Sequence, residues 1–414
     1  MPGYKSATVL SLLAGSLSGC SAFPPPKTCQ ISDANPKPDY ESMPKAIIDL
    51  DMPPADRWTA LATEYKDAVN NMVNEFVEHL KNFPGNKWEE FLLYTETQQD
   101  MLLDRMPSSY GDEIRGIQVA TGLPMSSLLA FNLGYEIMGF CTSVTAQDSN
   151  GHMFHGRNLD FGLFLGFNTS AGPNENFQWT NTDLLRQTTV VTDFQRDGKV
   201  VYSSVSYVGY VGLLTGVRKG GVTVSVDTRF DDNYDAFLKA WLRDPNDTAS
   251  LLSQALRVQI ENDATGSDFE TYVSDLSATR LVAPAYAIIG GPNAGQGIVL
   301  TITPNSTVPV DTWRITDSDG MPSSASVDEK FYVLQTNYDH WDEPPVIDDR
   351  ETAAYDCMDN VIGMDGVSKE SIYDLLAAMP NRNRLTTYTA VMDCVEGTVD
   401  ATLQYCYEKE CSPW

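Results

Sequence analysis

The stretch Phe140-Cys141-Thr142-Ser143-Val144-Thr145-Ala146-Gln147-Asp148-Ser149-Asn150-Gly151-His152-Met153-Phe154-His155-Gly156-Arg157-Asn158-Leu159-Asp160-Phe161-Gly162 places alternating and β-branched residues on either side of Ser-Asn-Gly, the composition of a tight turn. The spacing predicts a hairpin in which residues 142–148 return as residues 152–157. A cysteine starts the first strand, and the returning strand ends in an arginine and an aspartate. That return can bring a guanidinium and a carboxylate beside the sulfur, where the cation lowers the thiol pKa and the carboxylate orients an amine or proton donor. Singly these residues say little: an isolated cysteine is more often a small buried hydrophobe, and an Arg/Asp pair more often a structural ion pair. Their combination on one hairpin is the informative feature.

Upstream of the hairpin, residues 55–138 read as helical. Trp58, Leu61, Tyr65, Ala68, Val69, Met72, Phe76 and Leu80 recur at three- and four-residue intervals and mark one apolar face, read as core packing rather than lipid contact, until Phe83-Pro84-Gly85 ends it. Further helical windows span residues 88–101, 111–121 and 125–136. Residues 23–54 are rich in proline and polar residues and read as an extended arm. Downstream, residues 189–194 and 200–206 predict a second hairpin around Asp197-Gly198, with strands at 222–226, 286–290 and 298–302 and helices at 235–242, 249–261 and 268–279. Strands covered by helices imply a layered α/β or α+β body, without an internal repeat.

The 414 residues are 42% hydrophobic and 20% charged, enough for a large core. Against 56 Asp and Glu stand 28 Lys and Arg, a formal charge of −28 with no basic cluster, which excludes a nucleic-acid partner. Protonation at pH 5 leaves the charge at about −16. Met1 to Lys5, an apolar run over 7–17 and the small residues 18–22 have the layout of a signal peptide, residues 1–22. Leu17-Ser18-Gly19-Cys20 also fits a bacterial lipoprotein box, but the sequons at Asn168, Asn246 and Asn305 suit eukaryotic secretion. No later run of about 18 apolar residues predicts a membrane span. The seven cysteines, Cys20, Cys29, Cys141, Cys357, Cys394, Cys406 and Cys411, suggest disulfides plus an unpaired remainder. Cys20 would leave with the leader, and Cys406 and Cys411 are close enough to close a small loop; parity leaves open which of the others is free. His152 and His155, two of four histidines, lack clustered Cys or Asp ligands, so neither a metal nor another cofactor is expected.

From about Cys29 to Trp414 the sequence resembles the acid ceramidase family of N-terminal nucleophile amidases, which also includes N-acylethanolamine acid amidase and, more distantly, bile-salt hydrolases. The similarity runs in order through Phe131-Asn132, Tyr135-Glu136, the 141–162 block, Asp193-Phe194-Gln195-Arg196, the 209–216 segment, Ala283-Pro284-Ala285-Tyr286, Gln335-Thr336-Asn337-Tyr338-Asp339, Asp348-Asp349-Arg350 and the 406–414 ending.

The resemblance implies an α+β fold: the αββα sandwich of N-terminal nucleophile hydrolases in a β chain, residues 141–414, with a helical α-chain subdomain, residues 23–140, packed on it. It implies self-cleavage between Phe140 and Cys141, after which Cys141 is the nucleophile and its freed α-amine the base. Asp160 would then bond the terminal amine, Arg157 would keep the sulfur ionised, Asn337 would stabilise the oxyanion, and Arg350 would support the arrangement. Asp227, Thr228 and Tyr135 are site-adjacent candidates. Where the family usually has Asn-Glu or Asp-Glu before an arginine, this chain has Asp227-Thr228, so a glutamate near the site is absent and Asp227 is the acid that would compensate. The family's Cys29–Cys357 bridge would tie the two chains together and Cys406–Cys411 would pin the tail, leaving Cys394 a spare thiol.

The implied substrate is ceramide or a related N-acyl lipid, in a lysosomal or secreted protein. An N-acylethanolamine-type amidase and an inactive lipid-binding homologue are the alternatives; the 406–414 tail and the 335–341 block resemble ceramidases, and joint retention of Cys141, Arg157, Asp160, Asn337 and Arg350 argues for activity. Phe161, Leu163, Phe164, Leu165 and Phe167, or residues 207–214, could form an acyl groove or ordinary core. The negative charge would be repelled by anionic membranes, so peripheral membrane contact is expected through a less acidic apolar face or a saposin-type lipid-presenting protein. An uncleaved chain is expected to be an inactive zymogen.

Overall fold

The computed structural model describes residues 25–82, 88–107, 109–161, 180–230, 234–304, 306–315 and 330–406. The leader at 1–22, Asn168, Asn305, the 163–167 part of the expected groove and Cys411 lie outside the described residues.

The decisive hairpin forms as β2 (Gly139–Gln147) and β3 (Met153–Phe161), turning at Gly151 with φ 79°. The register sets Phe140 opposite Asp160, Cys141 opposite Leu159 and Ser143 opposite Arg157. The strand begins before the cysteine, because the helix Met125–Met138 passes directly into extended backbone at Gly139. The Phe140–Cys141 bond therefore lies inside a paired strand. Three more strands, β11 (Tyr332–Gln335), β12 (Thr386–Asp393) and β13 (Thr398–Leu403), complete a five-stranded sheet in the order β11-β2-β3-β12-β13.

A second sheet has eight strands in the order β1-β4-β5-β6-β7-β8-β9-β10. They are β1 (Lys45–Asp49), β4 (Thr189–Arg196), β5 (Lys199–Tyr207), β6 (Thr215–Val217), β7 (Thr223–Thr228), β8 (Ala285–Gly290), β9 (Gly297–Ile302) and β10 (Asp311–Arg314). The expected hairpin between β4 and β5 turns through Asp197 (φ 50°) and Gly198 (φ 69°), the two positive angles that a strand-matched two-residue turn requires. Part of the arm read as extended joins the sheet: β1 adds in parallel to β4, with Lys45 opposite Val191. Val191 N–H donates to the Pro44 carbonyl and Leu50 N–H to that of Gln195, both at 2.8 Å, so sheet pairing satisfies the arm's backbone.

Alternation along the strands decides what each layer buries. On β2 and β3, Cys141, Ser143, His155 and Arg157 project toward β7 of the other sheet, while Val144 and Gly156 face the helix Lys369–Ala377. A Cβ on Gly156 would lie 2.3 Å from Ile372 Cγ2 and 2.8 Å from Leu376 Cδ1, so that helix reaches the sheet because position 156 has no side chain. The helix Leu252–Glu261 covers β5 and β7 from the opposite side, completing an α+β sandwich of two facing sheets between helical layers.

The helical segment preceding β2 packs onto this body. The expected long helix is interrupted at Tyr65 (φ −93°, ψ 11°), giving Thr59–Glu64 and Lys66–Asn82. Val69, Met72, Phe76 and Leu80 are buried as read, and Phe76 meets Phe131 edge-on at 5.7 Å. Residues 207–214 are also core: Tyr207, Val208, Tyr210, Val211, Leu213 and Leu214 are buried, as is Phe161. A polar clasp crosses the same boundary: buried Glu113 accepts from Arg57, from the Trp58 indole and from both terminal nitrogens of Arg257. Cys29 and Cys357 form a disulfide spanning 328 positions. Cys141 and Cys394 are buried thiols outside any disulfide, and Cys406 is disulfide-bonded. Asn246 is exposed in a turn.

Candidate active site

Around Cys141 the backbone separates two groups of side chains. On the inter-sheet side, Nη2 of Arg157 donates to Cys141 Sγ at 2.7 Å and to the Val226 carbonyl at 2.9 Å. Its Nη1 is fixed by the Leu214 carbonyl at 2.5 Å and Thr215 Oγ1 at 2.8 Å. A buried guanidinium at this distance stabilises a thiolate over a thiol. Asp227, on β7, is buried and faces the Cys141 side chain; its Oδ1 is 3.9 Å from Arg157 Nη2. Burial pushes the Asp227 carboxyl up to about 7 against the opposing pull of Arg157.

On the other side lie Asn337, Arg350 and Asp160. Asn337 Oδ1 accepts the Cys141 amide N–H at 2.9 Å and Arg350 Nη2 at 2.7 Å, and its Nδ2 donates to the carbonyls of Thr228 at 2.7 Å and Gly139 at 3.1 Å. Arg350 Nη1 donates to the Cys141 carbonyl at 2.6 Å and lies 3.5 Å from Asp160 Oδ2, while Nε and Nη2 are forked onto Asp348. Asp160 Oδ2 accepts from Asn383 Nδ2 at 2.9 Å. Burial raises the Asp160 carboxyl to about 6, with Arg350 acting in the opposite direction.

Arg157, Asn337 and Arg350 thus all bond Cys141, and Asp160 is tied in through Arg350, so the five residues expected at the nucleophile lie together. Two contacts differ from expectation while the chain is whole. The Cys141 N–H goes to Asn337 and not to Asp160, because an amide nitrogen has a single proton to give and a free amine has more. Asn337 has both amide protons engaged, one on Gly139, which precedes the bond expected to break. Thr228 holds the same segment from the other side, its Oγ accepting the Gly139 N–H at 3.2 Å. Tyr135 lies in the Met125–Met138 helix, and its side chain is outside the described part of the structure.

Sequence reasoning missed Asn383 and Asp348, which brace Asp160 and Arg350, and the clamp that seats the Asn337 loop. In that clamp Arg229 is bidentate to Asp339 at 2.7 Å for each bond, and Tyr286 donates to the same carboxylate at 2.7 Å. Asp348 and Asp339 fall within quoted sequence blocks, which was the available signal; Asn383 has none. His155, weighed as a metal ligand, instead bonds Thr223 Oγ1 at 3.0 Å and Ser225 Oγ at 2.9 Å.

Residues 41–91 match the family model for the beta subunit of N-acylethanolamine-hydrolyzing acid amidase. The chain is 34% identical to the acid ceramidases of Pan troglodytes and Homo sapiens, over 100% of this chain and of theirs. It is 34% identical to the acid ceramidase of Mus musculus over 94% of each. A solved N-acylethanolamine-hydrolyzing acid amidase ortholog of Caenorhabditis elegans aligns with TM-score 0.48 and 27% identity, covering 62% of this chain and 93% of that one.

Proposed function

The chain belongs to the acid ceramidase family, and from that premise we propose that it is a cysteine amidohydrolase that cuts itself between Phe140 and Cys141 and then hydrolyses N-acylsphingosine to sphingosine and a free fatty acid. The observation that carries the reading is the Cys141 thiol held 2.7 Å from a buried guanidinium, with its own backbone clamped from both sides by Asn337 and Arg350.

The uncleaved chain is a zymogen. Phe140 and Cys141 are buried, the cysteine nitrogen is an amide and cannot act as a base, and the Asn337 donor is occupied by Gly139. Cleavage changes all three. The new α-amine, near pH 7.7–8.0 in model compounds and lowered by neighbouring cations, accepts the thiol proton and returns it to the departing amine of the substrate. Departure of Gly139 frees an Asn337 N–H for the oxyanion of the tetrahedral intermediate. Asp160 accepts a hydrogen bond from the new amine, and Arg157 holds the sulfur ionised between turnovers. Water then hydrolyses the thioester and releases the fatty acid.

The reading places residues 1–22 as a cleaved leader and delivers the protein through the secretory pathway to the lysosome or to secretion. After cleavage the α and β chains stay joined by Cys29–Cys357. Access to lipid uses peripheral contact or a saposin-type presenting protein, since the charge of −28 opposes anionic membranes; high activity on anionic vesicles without a partner, insensitive to salt, would sink that part. N-acylethanolamine hydrolysis is the second reading, favoured by the match at residues 41–91. Parallel assays on both amides decide between them.

The test is intact mass and N-terminal sequencing before and after incubation between pH 4.5 and 7.5, alongside Cys141→Ala. A new N-terminus at Cys141, absent from the variant and arriving with release of fatty acid from ceramide, is the expected result. A wild-type chain that stays whole, or is cut elsewhere regardless of Cys141, overturns the reading.

A further inference from the structure

A chain of buried hydrogen bonds runs from the Cys141 corner across the space between the two sheets. Ser143 Oγ donates to Asp227 Oδ1 at 2.8 Å, and Ser225 Oγ donates to Ser143 Oγ at 2.9 Å. Having spent its proton there, Ser225 Oγ must accept from His155 Nε2, 2.9 Å away, which leaves Nδ1 to accept from Thr223 Oγ1 at 3.0 Å. Every donor in the row Thr223, His155, Ser225, Ser143 therefore points toward one carboxylate. The members alternate between β7 and the β2–β3 hairpin, and all are buried. Their enclosure is tight: a Cβ at Gly290 would lie 2.5 Å from Thr223 Oγ1. Burial, together with Arg157, holds the His155 imidazole down to about 3, so it is a neutral link in the row.

Before cleavage Cys141 has no α-amine, so the thiol needs another group to take its proton. We propose that Asp227 is that group: it accepts the Cys141 thiol proton to start cleavage of the Phe140–Cys141 bond, and the Thr223–His155–Ser225–Ser143 row holds its carboxylate ready. This rests on Cys141 being the self-cleaving nucleophile. The thiolate adds to the Phe140 carbonyl carbon, the C–N bond breaks, and the proton held by Asp227 passes to the departing nitrogen, which becomes the α-amine. Water then hydrolyses the thioester to a Phe140 carboxylate and regenerates the thiol. Asp227 serves once, and the amine it helps to create replaces it.

The charged and titratable groups facing Asp227 are Arg157 from β3, Cys141 from β2, Tyr388 from β12 and Arg350 from the loop beyond Asn337. With the carboxyl at about 7, self-cleavage should accelerate as pH rises from 5 toward neutrality.

The experiment follows cleavage of the full chain on denaturing gels from pH 4.5 to 8. Wild type, Asp227→Asn, Asp227→Glu, Ser143→Ala, His155→Gln and Cys141→Ala are compared. Asp227→Asn should slow cleavage by about 100-fold or more and flatten the pH profile, and Asp227→Glu should recover much of the rate. Ser143→Ala and His155→Gln, which keep the carboxylate but remove its donors, should move the midpoint upward by about 0.5–1 pH unit. Asp227→Asn cleaving at the wild-type rate with the wild-type profile, while Cys141→Ala stays whole, overturns the proposal and spares the nucleophile. Cleavage of Cys141→Ala at the same bond overturns the nucleophile itself. Should Asp227→Asn fail to fold, unmoved midpoints in both Ser143→Ala and His155→Gln overturn the role of Asp227.

Discussion

Two buried arginine clusters in this molecule treat their carboxylates in opposite ways. In the clasp between the N-terminal helices and the sandwich, Glu113 Oε1 takes bonds from Arg57 and Arg257, and Oε2 takes bonds from Trp58 and Arg257. Around Cys141, Asp160 Oδ1 and Asp227 Oδ2 have no hydrogen-bond partner among the described residues, and both groups sit well above the usual carboxylate range, chiefly through burial. A structural ion pair saturates its acceptors, because each unmet lone pair in the interior costs stability. An acid that must take up and release a proton needs an oxygen left open and a neutral form within reach of working pH.

The largest effect expected from this contrast is at Glu113. Replacing it by Gln removes the charge that Arg57 and Arg257 share, and urea unfolding should report a loss of about 3–5 kcal/mol, as for buried pairs deprived of one partner; a loss under about 1 kcal/mol would make the clasp dispensable. Next comes pH. The folded chain holds protons on Asp160 (about 6), Asp227 (about 7) and Glu351 (about 8, raised chiefly by burial), whereas unfolded carboxyls titrate near 4. Their contribution is full below about pH 4 and is lost as pH rises through 6 to 8, so the uncleaved chain should melt a few degrees higher at pH 5 than at pH 8. Calorimetry of Cys141→Ala, which stays whole, measures this, and Asp227→Asn introduced into it should reduce the difference. The smallest effect is at Glu90, whose exposed bidentate pair with Arg243 crosses the same boundary as the clasp. Glu90→Gln should leave the melting temperature within about 1 °C of wild type, because solvent screens the pair.

The hairpin at 139–161 was legible because its signals are local: alternation, a glycine turn, and chemistry at both strand ends. The order of separated blocks also pointed to the five residues that the structure brings together at Cys141. β1 was not, since a five-residue segment among prolines becomes a strand only through a partner some 145 positions away, and sequence near Lys45 carries no trace of Val191. Asn383 was missed for the same reason. The Ser143–Ser225–His155 row depends on how β2 and β3 of one sheet face β7 of the other, an alignment set by packing between layers. Local pattern could suggest that His155 was buried in a strand but not which hydroxyls would meet it.

The parallel pairing of β1 with β4 gives self-cleavage a direction in folding as well as in chemistry. In the whole chain β1 finds the sheet edge as part of the same polypeptide. Once the chain is cut at Cys141 as proposed, β1 and β4 belong to different chains, and rebuilding the shared sheet stays intramolecular only through the Cys29–Cys357 bridge, which sets their effective concentration. The precursor would therefore template its own product: uncleaved protein is expected to refold as one chain, whereas cleaved protein that is reduced and unfolded is expected to separate into two fragments with no memory of their pairing.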